Sequence, residues 1–228
     1  QKNINLIIDL GNKEILNSNL LKNNKASVGS IEYYFKNKKI VTNLGDLSDL
    51  TKNISMLSST AAHSTMSIDD RNNLDLTGKR KFDLLKIKSI QNKIGTLVET
   101  QHDGYKNNFG ISHKRTIFVP QKGNDLRGED EISTFKNIGI IPNTAFIRFH
   151  LNPLIETFKL QSGKILLKHK DGLILYFLSS YKNIEIEETM IFKKSFREKS
   201  NQLVIKLPMC QIREQKSIIC NWSFKAEN

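Results

Sequence analysis

The sequence predicts an all-β fold, an antiparallel multi-stranded β-sandwich of two stacked sheets with few or no helices. Three observations carry that expectation. From Ser30 onward, β-branched and aromatic residues alternate with polar ones over short runs, the period of a strand with one buried face. Short turns of Gly, Asn, Asp or Lys separate the runs, and many short strands joined this way stack as antiparallel sheets. Helical periodicity is weak throughout.

Residues 3–21 mix apolar and polar side chains in a way that fits a strand pair or a short helix, and they stay unassigned. Ile31, Tyr33 and Phe35 share a face, Lys36-Asn-Lys-Lys39 makes a turn and Ile40-Val41 begins the return, which together read as a hairpin. Further strands are expected at 64–69, 82–87, 96–101, 114–119, 146–151, 164–168, 173–178, 184–192, 203–207 and 218–224. Cys210 and Cys220 flank an apparent last hairpin that turns at Arg213-Glu-Gln-Lys216. One register places the two cysteines opposite each other, where a bridge can form. A half-step shift pairs Cys210 with Ile219, and two buried free thiols are the expected state. With no internal repeat or long linker, the chain reads as one domain over 1–228, residues 1–27 being a lead-in segment from an N-terminal part.

A chain of 228 residues hides roughly 70% of its unfolded surface, so its core needs neither disulfides nor metal. A net charge of +12 attracts polyanions: nucleic acid, an anionic membrane surface or an acidic polysaccharide. The lysines are scattered rather than blocked, so a solvated surface serving solubility is the competing reading. The apolar stretch at 172–178 is strand length, and no run approaches the ~18 residues of a membrane span. Aromatic residues are dispersed without a base-stacking platform, which counts against nucleic acid. A phosphate-binding loop, a nucleophile elbow and a CxxC pair are all absent.

Three clusters could carry chemistry. The densest is 101–115, where His102, Tyr105, His113 and Arg115 include types suited to acid/base work and to carboxylate or sulfate recognition; a hydrogen-bonded loop that locks sheet geometry explains them as well. His63 enters a strand beside small residues in Thr60-Ala-Ala-His63-Ser-Thr65, ahead of Asp69-Asp70 and Arg71. It is the candidate catalytic histidine, against the alternative of a strand histidine satisfied by a neighbouring carbonyl or carboxylate. In 146–151, alternation puts Phe146, Arg148 and His150 on one face and Ile147, Phe149 and Leu151 on the other. Arg148 and His150 can line a saccharide groove or pair with acids such as Glu185, Glu187 and Glu188.

Taken in order, Gly29-Ser-Ile-Glu32, Ile40-Val-Thr-Asn-Leu-Gly45, Thr60 to Thr65 with Asp69-Asp70, and His102-Asp-Gly-Tyr105 through His113-Lys-Arg115 resemble the C-terminal domain of the heparinase II/III family. Leu126-Arg-Gly-Glu-Asp130, Ile147-Arg-Phe-His-Leu151 with Pro153, Glu187-Glu188, Gln202-Leu-Val-Ile205 and Trp222 extend the resemblance over about 28–224. It implies a β-sandwich that accompanies an N-terminal α/α toroid, with the polymer between them, in a periplasmic or cell-envelope protein. The implied reaction is β-elimination on a uronic-acid-containing acidic polysaccharide such as a glycosaminoglycan: a base takes the C5 proton, an acid protonates the leaving oxygen and the carboxylate is neutralised. Much of that machinery belongs to the toroid, so this chain is expected not to be catalytic alone. Substrate contacts are expected from His63, His102, Tyr105, His113, Arg115, Arg148 and His150. Some members hold a metal in the sandwich. Here Lys25 or its neighbours stand at the first ligand position and Asn43 replaces an aspartate, which leaves only His63, so neither metal nor other cofactor is expected.

Overall fold

Alternating side chains along the strands leave each sheet one apolar face, and two sheets bury those faces against each other. The computed structural model describes residues 3–11, 25–45, 54–76, 82–135, 139–193 and 196–227. The 7-stranded sheet contains β1 (Ile4–Ile8), β2 (Ile31–Phe35), β3 (Lys38–Thr42), β4 (Met66–Ile68), β9 (Thr144–Leu151), β13 (Ile184–Phe192) and β14 (Arg197–Pro208), in the order β1-β2-β3-β9-β14-β13 with β4 also on β9. The 8-stranded sheet contains β5 (Leu85–Gln91), β6 (Gly95–Tyr105), β7 (Ile111–Pro120), β8 (Asp125–Thr134), β10 (Ile155–Lys159), β11 (Ile165–His169), β12 (Ile174–Ser179) and β15 (Ser217–Ala226), in the order β10-β11-β12-β15-β8-β7-β6-β5. All pairings are antiparallel. Among the described residues the helices are short: α1 (Ile54–Ser58), α2 (Lys106–Phe109), α3 (Ile212–Gln215) and a 3-10 turn at Thr60–Ala62. None is long and apolar enough to cross a membrane.

The expected all-β sandwich is therefore observed, and each strand expected from residue 31 onward overlaps a strand of the structure. The unassigned start contains β1, while 12–21 lies outside the described residues. The first hairpin turns more tightly than expected, on Lys36 and Asn37 alone, both at positive φ (48° and 63°) as a two-residue turn between twisted strands requires. Two strands carried no expectation, β8 and β10.

The last hairpin is a correction. β14 lies in the 7-stranded sheet and β15 in the 8-stranded one, so α3 carries the chain across the sandwich instead of turning it back. Cys220 is buried on β15 and Cys210 is exposed, so the two free thiols share neither a sheet nor an environment.

Aromatic side chains join the layers. Phe149 on β9 meets Phe177, Trp222 and Phe224 of the opposite sheet at centroid separations of 5.3, 4.8 and 5.4 Å. Edge-to-face and tilted contacts of this kind add about 0.5–1.5 kcal/mol each beyond the area they bury.

Candidate functional site

The cluster at 101–115 becomes two neighbouring strands, β6 and β7, with His102 directly opposite His113. Asp130 on β8 lies opposite Arg115, and Trp222 on β15 lies opposite Gly128. All four polar side chains point between the sheets. Arg115 donates from Nε to Asp130 Oδ1 (2.7 Å) and from Nη2 to Oδ2 (3.0 Å), a bidentate pair. Trp222 Nε1 donates to Asp130 Oδ2 (2.8 Å) and His113 Nε2 meets Oδ1 (2.6 Å). The second guanidinium nitrogen, Nη1, donates to the carbonyls of Gly29 (2.8 Å) and Ser64 (2.9 Å).

One set of tautomers satisfies the whole chain of contacts. Gly104 N–H donates to His102 Nδ1 (3.2 Å), so the His102 proton sits on Nε2 and faces His113 Nδ1 (3.2 Å). His113 then carries its proton on Nε2 and donates it to Asp130. Both imidazoles are neutral. Burial lowers the pKa of His102 well below the ordinary histidine value, helped by the repulsion a second proton would meet at His113 and by the Arg115 charge, and burial lowers that of His113 against the pull of Asp130. Burial alone would push the Asp130 carboxyl up, but the Arg115 charge and the His113 and Arg115 hydrogen bonds hold it well below the carboxylate range.

His63 follows the 3-10 turn in a segment fixed largely by side chains. Ser64 N–H donates to Asn43 Oδ1 (2.8 Å), Ser64 Oγ to the Thr42 carbonyl (2.6 Å), and Thr65 Oγ1 to the Val28 carbonyl (2.9 Å). The imidazole is 3% exposed, and neither ring nitrogen has a hydrogen-bond partner of ordinary geometry. It forms part of the wall of a pocket of about 460 Å³ whose lining includes Asp9, Lys25, Glu32, Lys39, Asn43 and Lys193. Burial and the Lys25 charge lower its pKa to about 4, opposed by Asp9 and the Leu57 backbone.

The remaining nominated residues stand apart from that pocket. His150 is buried, its Nε2 at 2.9 Å from the Ala61 carbonyl and its Nδ1 unpartnered. Tyr105 is buried and donates to the Met66 carbonyl (2.8 Å). Arg148 is half-buried on the outer face of β9, donates to Ser67 Oγ (2.5 Å) and covers the Phe146 ring at 4.7 Å. The acids of β13 are shared with β14: Lys206 donates to Glu185 (2.5 Å) and Gln202 to Glu187 (3.0 Å).

Of the seven nominated residues, His102, Tyr105, His113, Arg115 and His150 are each 0–1% exposed, so a polymer lying on this structure reaches none of them. His63 faces the pocket and Arg148 the outer surface. Asp130, on which the network converges, was missed as a functional position. Its signal was the inward phase of β8, where Leu126, Asp130 and Ile132 alternate with exposed or half-buried residues.

The metal that the resemblance attaches to this region can be tested against the side chains. Lys25, Asn43 and His63 do line one pocket. An ammonium is no ligand, however, and Asn43 Oδ1 is engaged by Ser64 N–H. Among the described residues no three His, Cys, Asp or Glu side chains converge. This donor set does not fit a metal ion.

The two-sheet antiparallel sandwich is similar in fold to part of a solved heparinase III and of a solved heparan sulfate lyase. A heparinase III is 14% identical with a TM-score of 0.67, covering 89% of this chain and 30% of its own. A mutant heparan sulfate lyase from Pedobacter heparinus is 12% identical with a TM-score of 0.68, covering 90% and 31%. The chain belongs to the family "Heparinase II/III-like, C-terminal", whose model matches residues 1–223. A Caulobacter vibrioides relative, FtsZ-localized protein C, is 26% identical over 144 residues, 58% of this chain and 24% of that protein. The chain thus spans about a third or less of these relatives.

Proposed function

We propose that this chain is the β-sandwich portion of a polysaccharide lyase acting by β-elimination on a uronic-acid-containing acidic polysaccharide, and that it binds the polymer without being catalytic alone. The reading is supported by family membership and carried by one observation: His63 lines a pocket whose described lining includes Lys25, Lys39 and Lys193 but no tyrosine and no second histidine. Such a pocket can hold an acidic sugar. It offers a single imidazole where β-elimination needs both a base for the C5 proton and an acid for the leaving oxygen.

The test is the ultraviolet absorbance of the unsaturated product formed from heparan sulfate, alginate and other uronate polymers. The chain alone is expected to give no signal, and the chain with an N-terminal α/α toroid is expected to give one. A signal from this chain alone overturns the division of labour. Silence in both arms favours the second reading, a noncatalytic module for an acidic glycan or a protein partner. The Caulobacter relative, named for localisation with FtsZ and not for a reaction, favours that alternative.

A further inference from the structure

Among the described residues the sandwich has four open edges, β1 and β13 in one sheet and β5 and β10 in the other. An edge strand presents a row of backbone N–H and C=O groups without a partner strand, a template for another chain unless the fold blunts it. Side chains tie two of the four to their neighbours. On β10, Thr157 Oγ1 accepts from Asn201 Nδ2 (3.0 Å) and Lys159 Nζ donates to the Ile184 carbonyl (3.0 Å). On β13, Glu185 and Glu187 are held by Lys206 and Gln202 of β14. β1 is a run of five uncharged residues.

β5 differs from all three. Among the described residues it pairs with β6 alone, in unbroken register from Leu85 opposite His102 to Gln91 opposite Thr96. Every residue after Leu85 is exposed, although successive side chains point to opposite faces, so the strand is covered on neither side. Ile87 (48% exposed) and Ile90 (44%) stand in water on opposite faces. Residues 84–94 contain three lysines and no acid, and among the described residues Lys86 and Lys88 form no ion pair. The one acid across the ladder is Glu99, opposite Lys88. Charge then decides what can pair. Two copies meeting edge to edge on β5 bring lysine near lysine, which is penalised, whereas acids opposite lysines are favoured.

We propose that β5 is a docking edge for an extended acidic segment of a partner protein, which adds to the 8-stranded sheet as one more strand with its acids beside Lys86 and Lys88 and apolar side chains beside Ile87 and Ile90. In strand addition the main-chain hydrogen bonds supply affinity and the alternate side chains supply selection. At about 3.4 Å per residue the edge is roughly 24 Å long, and a segment of about seven residues covers it. None of its residues lines the pocket beside His63, so the proposal stands apart from the acidic-glycan reading.

The test titrates the isotope-labelled protein with a capped peptide of about seven residues that alternates glutamate and valine, followed by amide NMR and hydrogen exchange. Saturable shifts centred on residues 85–91 are expected, with slowed exchange at alternate β5 amides. Reversing the charge in the double variant Lys86→Glu, Lys88→Glu changes only exposed side chains and is expected to weaken binding about tenfold. The same peptide with its amides N-methylated keeps the charge and loses the ladder, and it is expected not to bind. The inference is overturned by no saturable shift, by shifts centred on another edge, or by indifference to charge reversal. Equal binding of the N-methylated peptide or of heparan sulfate at β5 overturns it in favour of a simple polyanion patch. A dimer of the protein alone in sedimentation, with the β5 amides already slow to exchange, overturns it in favour of a second copy.

Discussion

Two groups of buried histidines lie close together and obey opposite rules. At β6 and β7, His102 and His113 belong to a chain that ends on Asp130, in which every ring nitrogen has a partner. Where the 60–65 segment meets β9, His63 and His150 are buried just as deeply, yet three of their four ring nitrogens have none. Burial and residue type therefore do not separate a structural histidine from a candidate for binding. Hydrogen-bond satisfaction does, and of the four rings His63 is the one in the wall of the pocket of about 460 Å³.

The comparison breaks most violently at Asp130. Its replacement by Ala strands the Arg115 guanidinium in the core and frees two further donors, Trp222 Nε1 and His113 Nε2, and removing one partner of a buried pair costs about 3–5 kcal/mol. Urea denaturation is expected to show that loss or no folded protein at all, and a loss under about 1 kcal/mol would refute the structural role.

Acid acts on both groups. Below the ordinary histidine value of 6.5 the unfolded chain takes up protons that the folded one refuses, until about pH 4 at His63 and about pH 3 at His150. Stability is then complete at neutral pH and falls as pH drops through that window, by about 2–4 kcal/mol between pH 7 and pH 5. A flat urea midpoint over that range would show that the histidines are not held neutral by burial.

A third probe tests the roof of the network. A Cβ at Gly128 would lie 2.1 Å from the Trp222 ring, so Gly128→Ala forces the indole off Asp130 and is expected to cost about 1–3 kcal/mol. Near-UV circular dichroism of the single tryptophan should change with it.

The smallest effect sharpens the contrast. His63→Leu removes ring nitrogens that make no hydrogen bond of ordinary geometry, so its stability is expected to stay within about 1 kcal/mol of the parent, whereas His113→Leu leaves His102 Nε2 unsatisfied and takes one donor from Asp130, and is expected to cost more. Equal losses in the two variants, read by thermal denaturation, would erase the distinction.

The sheets were legible because alternation was strong where one face is apolar, as in Ile31-Glu-Tyr-Tyr-Phe35 and in Ile184-Glu-Ile-Glu187 at the start of β13. β8 was not, because Asp125-Leu-Arg-Gly-Glu-Asp-Glu-Ile reads as a loop until Asp130 is known to face Arg115. The last apparent hairpin misled for a related reason: a short turn-like segment says nothing about whether its flanking strands pair or part. Of the nominated side chains, types were readable and orientation was not. Arg115 and His113 sit on the inward phase of β7, which shows only once the neighbouring strand supplies the carboxylate.

One consequence concerns the order of synthesis. β15, residues 217–226, is neither an edge nor a late addition in space, since it lies between β12 and β8 and joins the two halves of the 8-stranded sheet. It also brings Trp222 to Asp130, 92 residues earlier in the chain. On the ribosome the two half-sheets must wait side by side with open edges until that segment emerges. Such a topology folds slowly and depends on whatever shields those edges in the interval.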